Sequence, residues 1–434
     1  MNKPAVPPMP PCPTIRLACR AAAACLATCA LPAALAAPLL VASGGGNSFG
    51  PALSDDGRHL AFYSAANLTG GNADNNFEIF VFDRQTGQTR QVTNDPRGIG
   101  YVSQSPSISG DGSRLVYQRF EPGPGGTAVV RSETVDLATG TTTTLPTVPG
   151  FSEATRISRD GGTIAVQKDN TGLRLYDVAS GTLGPVLAGN TSSQAIDDAA
   201  RRAVLSSFSG AVSVLDLLSG STTLVGNSGS FNPRPTLSGD GRLVAFSGTF
   251  DPLGTNADRN EEIFLYDVAG ASLRQLTQTT GTISRSADLD GTGTRLAFLS
   301  NADLTGGNAS RNTEVFVADL ISGALSQITT TADGQKAEVS ISHDGNVVAF
   351  SSVFSAGGSR IYVADLDPRP SAAPEPASLL LVATAVLGLL AAGRRGKVGA
   401  VATPHPVHAP RNPAQRLRHA LRRPHPARPV DAPA

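Results

Sequence analysis

The sequence predicts an all-β fold, a seven-bladed β-propeller of four-stranded antiparallel blades. Three observations carry that expectation. A composite unit recurs seven times: an apolar pair, Ser-x-Asp-Gly, an "LAF"-like run, an "IFVFD"-like run, Thr-Gly or Ser-Gly, and a closing "QVT"-like run. Within each unit apolar residues alternate, as side chains do on the two faces of a strand, and Gly, Asp and Asn bound the runs. The 434 residues include 46 Gly, no Trp and only four Lys, a composition of many short strands and turns.

The copies begin at "ALSDDG" (Ala52), "SISGDG" (Ser107), "RISRDG" (Arg156), "AIDDAA" (Ala195), "TLSGDG" (Thr236), "ADLDGTG" (Ala287) and "SISHDG" (Ser340), the fourth being degenerate. In the first, "HLAFYS", "EIFVFD" and "TRQVT" read as antiparallel strands joined by tight turns. One twisted four-stranded sheet cannot bury both its faces. Blades therefore pack face to face around an axis, and the ring protects their edges. The seventh copy supplies "VSIS", "VVAFSS" and "RIYVADL", then meets Pro368 and Pro370, which cannot join a ladder. "PLLVAS" (Pro38 to Ser43) is expected to provide the missing strand, fastening one end of the domain to the other over residues 37–367.

The flanks read as processing segments. Lys3, Arg16 and Arg20 form a basic region, Ala21 to Leu31 a short apolar one, and Ala34-Leu35-Ala36 a small-x-small cleavage site, so residues 1–36 are expected to be a signal peptide. Cys12, Cys19, Cys25 and Cys29 all precede that cut, which leaves the exported chain without disulfide, thiol nucleophile or thiolate-bound metal. "LATC", ending at Cys29, is a poor lipidation box. Residues 37–376 hold 23 Lys and Arg against 34 Asp and Glu, and this acidic balance gives no reason to expect a nucleic-acid partner.

The pattern Ser-x-Asp-Gly-x-x-[LIV]-[AV]-[FY], followed by [DE]-[IV]-[FY]-[VL]-x-D, Thr-Gly and a terminal "LT" or "VT", resembles the TolB-type, WD40-like propeller repeat. The resemblance implies the fold but no single function, since that family includes envelope adaptors, peptidase-associated propellers and lyases.

Strand alternation places the Asp-Gly and Thr-Gly turns on one face, here face two, where Asp56, Asp111, Asp160, Asp240 and Asp344 are expected to cap turns. The loops between second and third strands lie on face one. Three of them are long and alike: "NLTGGNADNNFEIF" (from Asn67), "PLGTNADRNEEIF" (from Pro252) and "DLTGGNASRNTEVF" (from Asp303). Oxygen-bearing side chains at alternate positions suit a calcium loop, because a hard cation takes six to eight oxygens. The candidate binding residues are Asn72, Asp74, Asn76 and Glu78; Asn256, Asp258, Asn260 and Glu262; and Asn308, Asn312 and Glu314, with Ser310 replacing Asp in the third loop. The same residue types also shape exposed loops through side-chain to backbone hydrogen bonds. A binding surface built of these loops is the expectation, with Ca2+ as the one cofactor they suggest.

Enzymatic signals are weak. "GNSFG" matches a nucleophile-elbow pattern, yet Ser48 is expected in a linker between strands, without the helix an elbow needs. His59 and His343 are expected to be solvated turn residues, which argues against the histidine-dependent lyases of similar fold.

Pro374-Glu375-Pro376, the apolar run Leu379 to Ala392, and Arg394, Arg395 and Lys397 follow the domain. The run is short of the roughly 20 residues a stable membrane span prefers. Together these features resemble the PEP-CTERM sorting signal of Gram-negative bacteria. The resemblance implies transient inner-membrane attachment, processing by an exosortase-type enzyme, and arrival at the cell surface or extracellular matrix. The expected segments are a Pro-rich linker (368–378), a hydrophobic helix with its basic cluster (379–397) and a disordered Pro/Arg/His-rich tail (398–434). The functional expectation is a non-enzymatic binding or scaffold module for an exopolysaccharide or surface protein. The alternatives are an enzyme acting on extracellular polymer through acidic loop residues, and a structural matrix component without a discrete ligand.

Overall fold

The computed structural model describes residues 37–366, apart from 44, 99, 147–152, 169–171, 190, 230–232 and 332–333. The signal peptide, Pro-rich linker, hydrophobic run and tail expected from the sequence lie outside the described residues, as do Pro374, Glu375, Pro376, Arg394 and Arg395. Among the described residues no helix is long and apolar enough to cross a membrane.

Seven four-stranded antiparallel sheets are arranged as blades. Blade one comprises, after the opening strand β1 (Leu39–Ala42), strands β2 (Ser48–Leu53), β3 (His59–Ser64), β4 (Glu78–Asp83) and β5 (Gln88–Gln91), from the axis outward. Its middle strands are buried almost throughout, because neighbouring blades cover both faces of the sheet. The outermost strand alternates between exposed and half-buried positions, as a one-sided strand should. Blades one, five, six and seven are further zipped by stacked cross-strand rings: Phe62 on Phe80, Phe246 on Phe264, Phe298 on Phe316 and Phe350 on Tyr362, with centroids 5.5 to 5.8 Å apart.

The Asp-Gly turns behave as their sequence implies. Asp56 Oδ1 accepts from Ser54 Oγ and from the Arg58 N–H, each at 2.9 Å, and Gly57 has φ 65°. Degenerate blade four keeps this geometry with Ala200, at φ 48°, in the left-handed position that glycine holds elsewhere.

The ring closes through β1, which pairs antiparallel with the last strand, Ser359–Asp365, in the order expected from the prolines that follow it. Ala42, the inward end of β1, is fully buried against Phe62, Ile361 and Val363. A carboxylate there would be buried without a partner, so Ala42→Asp should cost about 3 kcal/mol or more in urea unfolding. Leu224→Asp, on the exposed outer strand of blade four, should stay within about 0.5 kcal/mol of the parent.

Candidate functional site

The innermost strands of all seven blades surround an axial cavity of about 670 Å3. Bulges interrupt several of them, with Gly50, Ser105 and Ser286 at φ 63°, 55° and 52°. In blade five Arg234, at φ 44° and followed by Pro235, stands where blades one and two have Gly50-Pro51 and Ser105-Pro106. A left-handed backbone at a non-glycine residue costs roughly 1–3 kcal/mol and is typical of positions that aim a side chain at a site.

Arg234 and Arg156 both line the cavity. Among the described residues neither guanidinium lies within ion-pair distance of a carboxylate; Arg156 donates to the carbonyl of its own neighbour, Thr155, at 2.9 Å. Arg156 is exposed to the cavity, yet desolvation by the surrounding wall lowers its pKa and the charge of Arg234 lowers it further, against the pull of Asp288. The acidic groups of the same wall are already engaged. Glu338 Oε2 accepts from the Gly50 N–H at 2.6 Å and from Ser351 Oγ at 3.2 Å. Asp288, in blade six, accepts from the Ile341 N–H of blade seven at 2.9 Å and from Thr236 Oγ1 of blade five at 3.1 Å, tying three inner strands together. Burial pushes its carboxyl up to about 6, outweighing those hydrogen bonds and Arg156.

At face two, four side chains reach across the axis. Arg159 of blade three pairs with Asp55 of blade one and lies 3.7 Å from Asp198 of blade four, whose Oδ2 is 2.9 Å from His343 Nε2 of blade seven. His343 is thus a hydrogen-bond partner of Asp198 rather than the solvated turn residue the sequence suggested. His59 Nε2 approaches Asp83 Oδ2 at 3.9 Å. Ser48 also differs from expectation: it opens β2 instead of lying in a linker, and its Oγ is 2.8 Å from Ser64 Oγ.

The three long loops share one conformation. Asn75, Arg259 and Arg311 have φ 54° to 55°, and their N–H groups donate to the carbonyls of Asn72, Asn256 and Asn308. Those three asparagines are buried and turn their Nδ2 groups onto backbone: Asn72 onto Asn76 O (2.9 Å), Asn256 onto Asn260 O (3.0 Å), Asn308 onto Asn312 O (2.8 Å). Asn76, Asn260 and Asn312 in turn donate to the carbonyls of Asp95, Thr279 and Thr331. Glu78, Glu262 and Glu314 are buried and accept from the N–H groups of Asp95, Thr279 and Thr331. Asp258, which is exposed, accepts from the Gly281 N–H at 2.9 Å, while Asp74 is half-buried. The structure brings each loop's residues together within its own blade. Among the described residues no hydrogen bond or ion pair joins one loop to another, and no three His, Cys, Asp or Glu side chains gather as a metal cage.

No protein-family model and no curated protein matches the sequence. Solved structures do match in fold. The propeller domain of the Trilobed protease from Pyrococcus furiosus, described as having an open velcro topology, is 13% identical with a TM-score of 0.53, covering 75% of this chain and 97% of that one. Oligogalacturonate lyase from Vibrio parahaemolyticus is 13% identical with a TM-score of 0.52, covering 75% and 92%. TolB from Acinetobacter baumannii is 15% identical with a TM-score of 0.42, covering 67% and 77%. The chain spans 36% of the length of the tricorn protease, which it also matches. The Trilobed protease and oligogalacturonate lyase likenesses establish a β-propeller fold and, at such identities, nothing about chemistry.

Asp288 gives the cavity wall a testable pH signature. Its folded pKa exceeds its ordinary value of 3.8, so its stabilising protonation is complete below that value and lost as pH rises through about 6. Asp288→Asn cannot titrate. Relative to the parent it should gain stability as pH rises from about 4 to about 7, measured by urea unfolding; a pH-independent difference would contradict the assignment.

Proposed function

We propose that this chain is an exported, non-catalytic binding propeller whose axial cavity takes an anionic segment of an exopolysaccharide at the cell surface or in the extracellular matrix. One observation carries the ligand class: Arg156 and Arg234 line the cavity with no carboxylate in ion-pair reach among the described residues, while Asp288 and Glu338 are occupied by hydrogen bonds. Guanidinium groups exposed to the cavity and left without a carboxylate favour a carboxylate brought by a ligand. The polar lining, including Tyr63, Gln104, Gln118 and Ser286, suits sugar hydroxyls. Export and surface sorting rest on the sequence features at residues 1–36, 374–376 and 379–397, with an exosortase-type enzyme as the processing partner.

A second reading, an enzyme acting on acidic polymer, draws on Asp288, a cavity carboxyl that burial pushes up to about 6 beside Arg156. The two are separated by one experiment. Isothermal titration with uronate oligosaccharides, using neutral glucans as control, should show binding to the acidic probe alone. Arg156→Gln or Arg234→Gln should each weaken it at least about tenfold, equivalent to about 1.4 kcal/mol, and added salt should weaken it further. Binding indifferent to both substitutions would overturn the proposal. Accumulation of shortened oligosaccharides, abolished by Asp288→Asn, would establish the enzyme.

A further inference from the structure

We propose that the long loops of blades one and five each bind a calcium ion, and that the same loop of blade six does not, because there the protein supplies its own cation. The inference concerns face one and stands independently of the axial cavity.

The three loops are alike in backbone and in the hydrogen bonds of their amide nitrogens, yet they differ in their oxygens. In blade one, Asn72 Oδ1, Asp74 Oδ2 and Asn76 Oδ1 are buried and accept no hydrogen bond. In blade five the same holds for Asn256 Oδ1, Asn260 Oδ1 and Glu262 Oε2. Asn72, Asn76, Asn256 and Glu262 are at most 2% exposed, so bulk solvent does not serve these atoms. In blade six Asn308 Oδ1 accepts from Ser310 Oγ at 3.4 Å and Asn312 Oδ1 from Gln335 Nε2 at 3.3 Å.

The inner strand of the following blade supplies part of the contrast, Gln335 at Asn312 Oδ1 and an ammonium beside Glu314. Lys336 donates its N–H to Thr313 O at the rim of the blade-six loop, and its buried ammonium lies 3.7 Å from Glu314 Oε2 and 2.7 Å from Thr331 Oγ1. The corresponding N–H donors beside the loops of blades one and five are Ser103, to Phe77 O, and Ser284, to Glu261 O, both at 2.7 Å. Where blade six has an ammonium, the other two have serines.

Three orphaned acceptors within one loop and the strand it enters are costly to bury. One water has two hydrogens and cannot satisfy three acceptors, whereas a hard cation needs an all-oxygen set of this kind. Asn72-x-Asp74-x-Asn76 and Asn256-x-Asp258-x-Asn260 supply side-chain oxygens at alternate positions, to be completed by backbone carbonyls and water. So few carboxylates set the affinity at about 10⁻⁴–10⁻³ M, the range of extracellular calcium modules.

The test is calcium titration of the whole chain by calorimetry, together with thermal unfolding at constant ionic strength. The expected result is two ions per chain and a melting temperature raised by about 2 °C or more at about 10 mM CaCl2. Asp74→Asn and Glu262→Gln each place an N–H2 where an orphaned oxygen stood. Each should lower the count to one, the pair should abolish the thermal shift, and neither should be less stable than the parent in chelator. Ser310→Ala should leave two ions. No calcium bound by the parent at about 10 mM would overturn the proposal regardless of how the variants fold, as would an undiminished count in the paired variant.

Discussion

A belt of backbone hydrogen bonds around the axis is the constraint on which the rest of the molecule depends. At face two, the turn of each blade is tied to its neighbour: Asp55 N–H to Gly110 O, Gly110 N–H to Arg159 O, Asp198 N–H to Gly239 O, Asp240 N–H to Gly291 O, Gly291 N–H to His343 O and Asp344 N–H to Asp55 O, at 2.8 to 3.3 Å. Between blades three and four the described contact is ionic, Arg159 with Asp198. Each bond is worth only about 1 kcal/mol net, but together they fix the radius at which seven inner strands meet. The belt turns seven sheets, none of which could stand alone, into one ring, and β1 locks that ring from outside.

With the radius fixed, the inner wall can carry groups that a lone sheet could not. Asp288 holds three blades at once, and the His343–Asp198 and Arg159–Asp55 pairs cross the axis only because the belt brings opposite blades within side-chain reach. Left-handed Arg234 is similarly sustained by the buried Pro235, Thr236 and Leu237 that follow it. Face one is organised differently: each long loop is anchored within its own blade by inward-turned asparagine amides. Blades one, five and six, which bear these loops, also have stacked phenylalanine pairs across their middle strands.

Much of this was legible beforehand, for identifiable reasons. Alternation and Asp-Gly punctuation are local signals, and Pro368 and Pro370 ruled out a fourth strand after Asp365, which pointed to Pro38 to Ser43. The cavity was not legible. Arg156 lies in the inner strand of blade three and Arg234 just before the short inner strand of blade five, and their approach is a property of ring closure across 78 residues of chain. Arg234-Pro235, aligned with Gly50-Pro51 and Ser105-Pro106, was the available clue. The Asn-rich motif was visible, but an amide has a donor end and an acceptor end, and no sequence says which one turns to the backbone. His343 looked solvated because its partner, Asp198, is 145 positions away.

The account's central claim, that the belt makes seven blades one rigid frame, is tested most directly by native-state hydrogen exchange at the amides of Asp55, Gly110, Asp198, Asp240, Gly291 and Asp344. If the belt holds the ring, these six exchange together, only through global unfolding, at the free energy found by urea denaturation. Exchange of individual belt amides at lower and different free energies from blade to blade would contradict it.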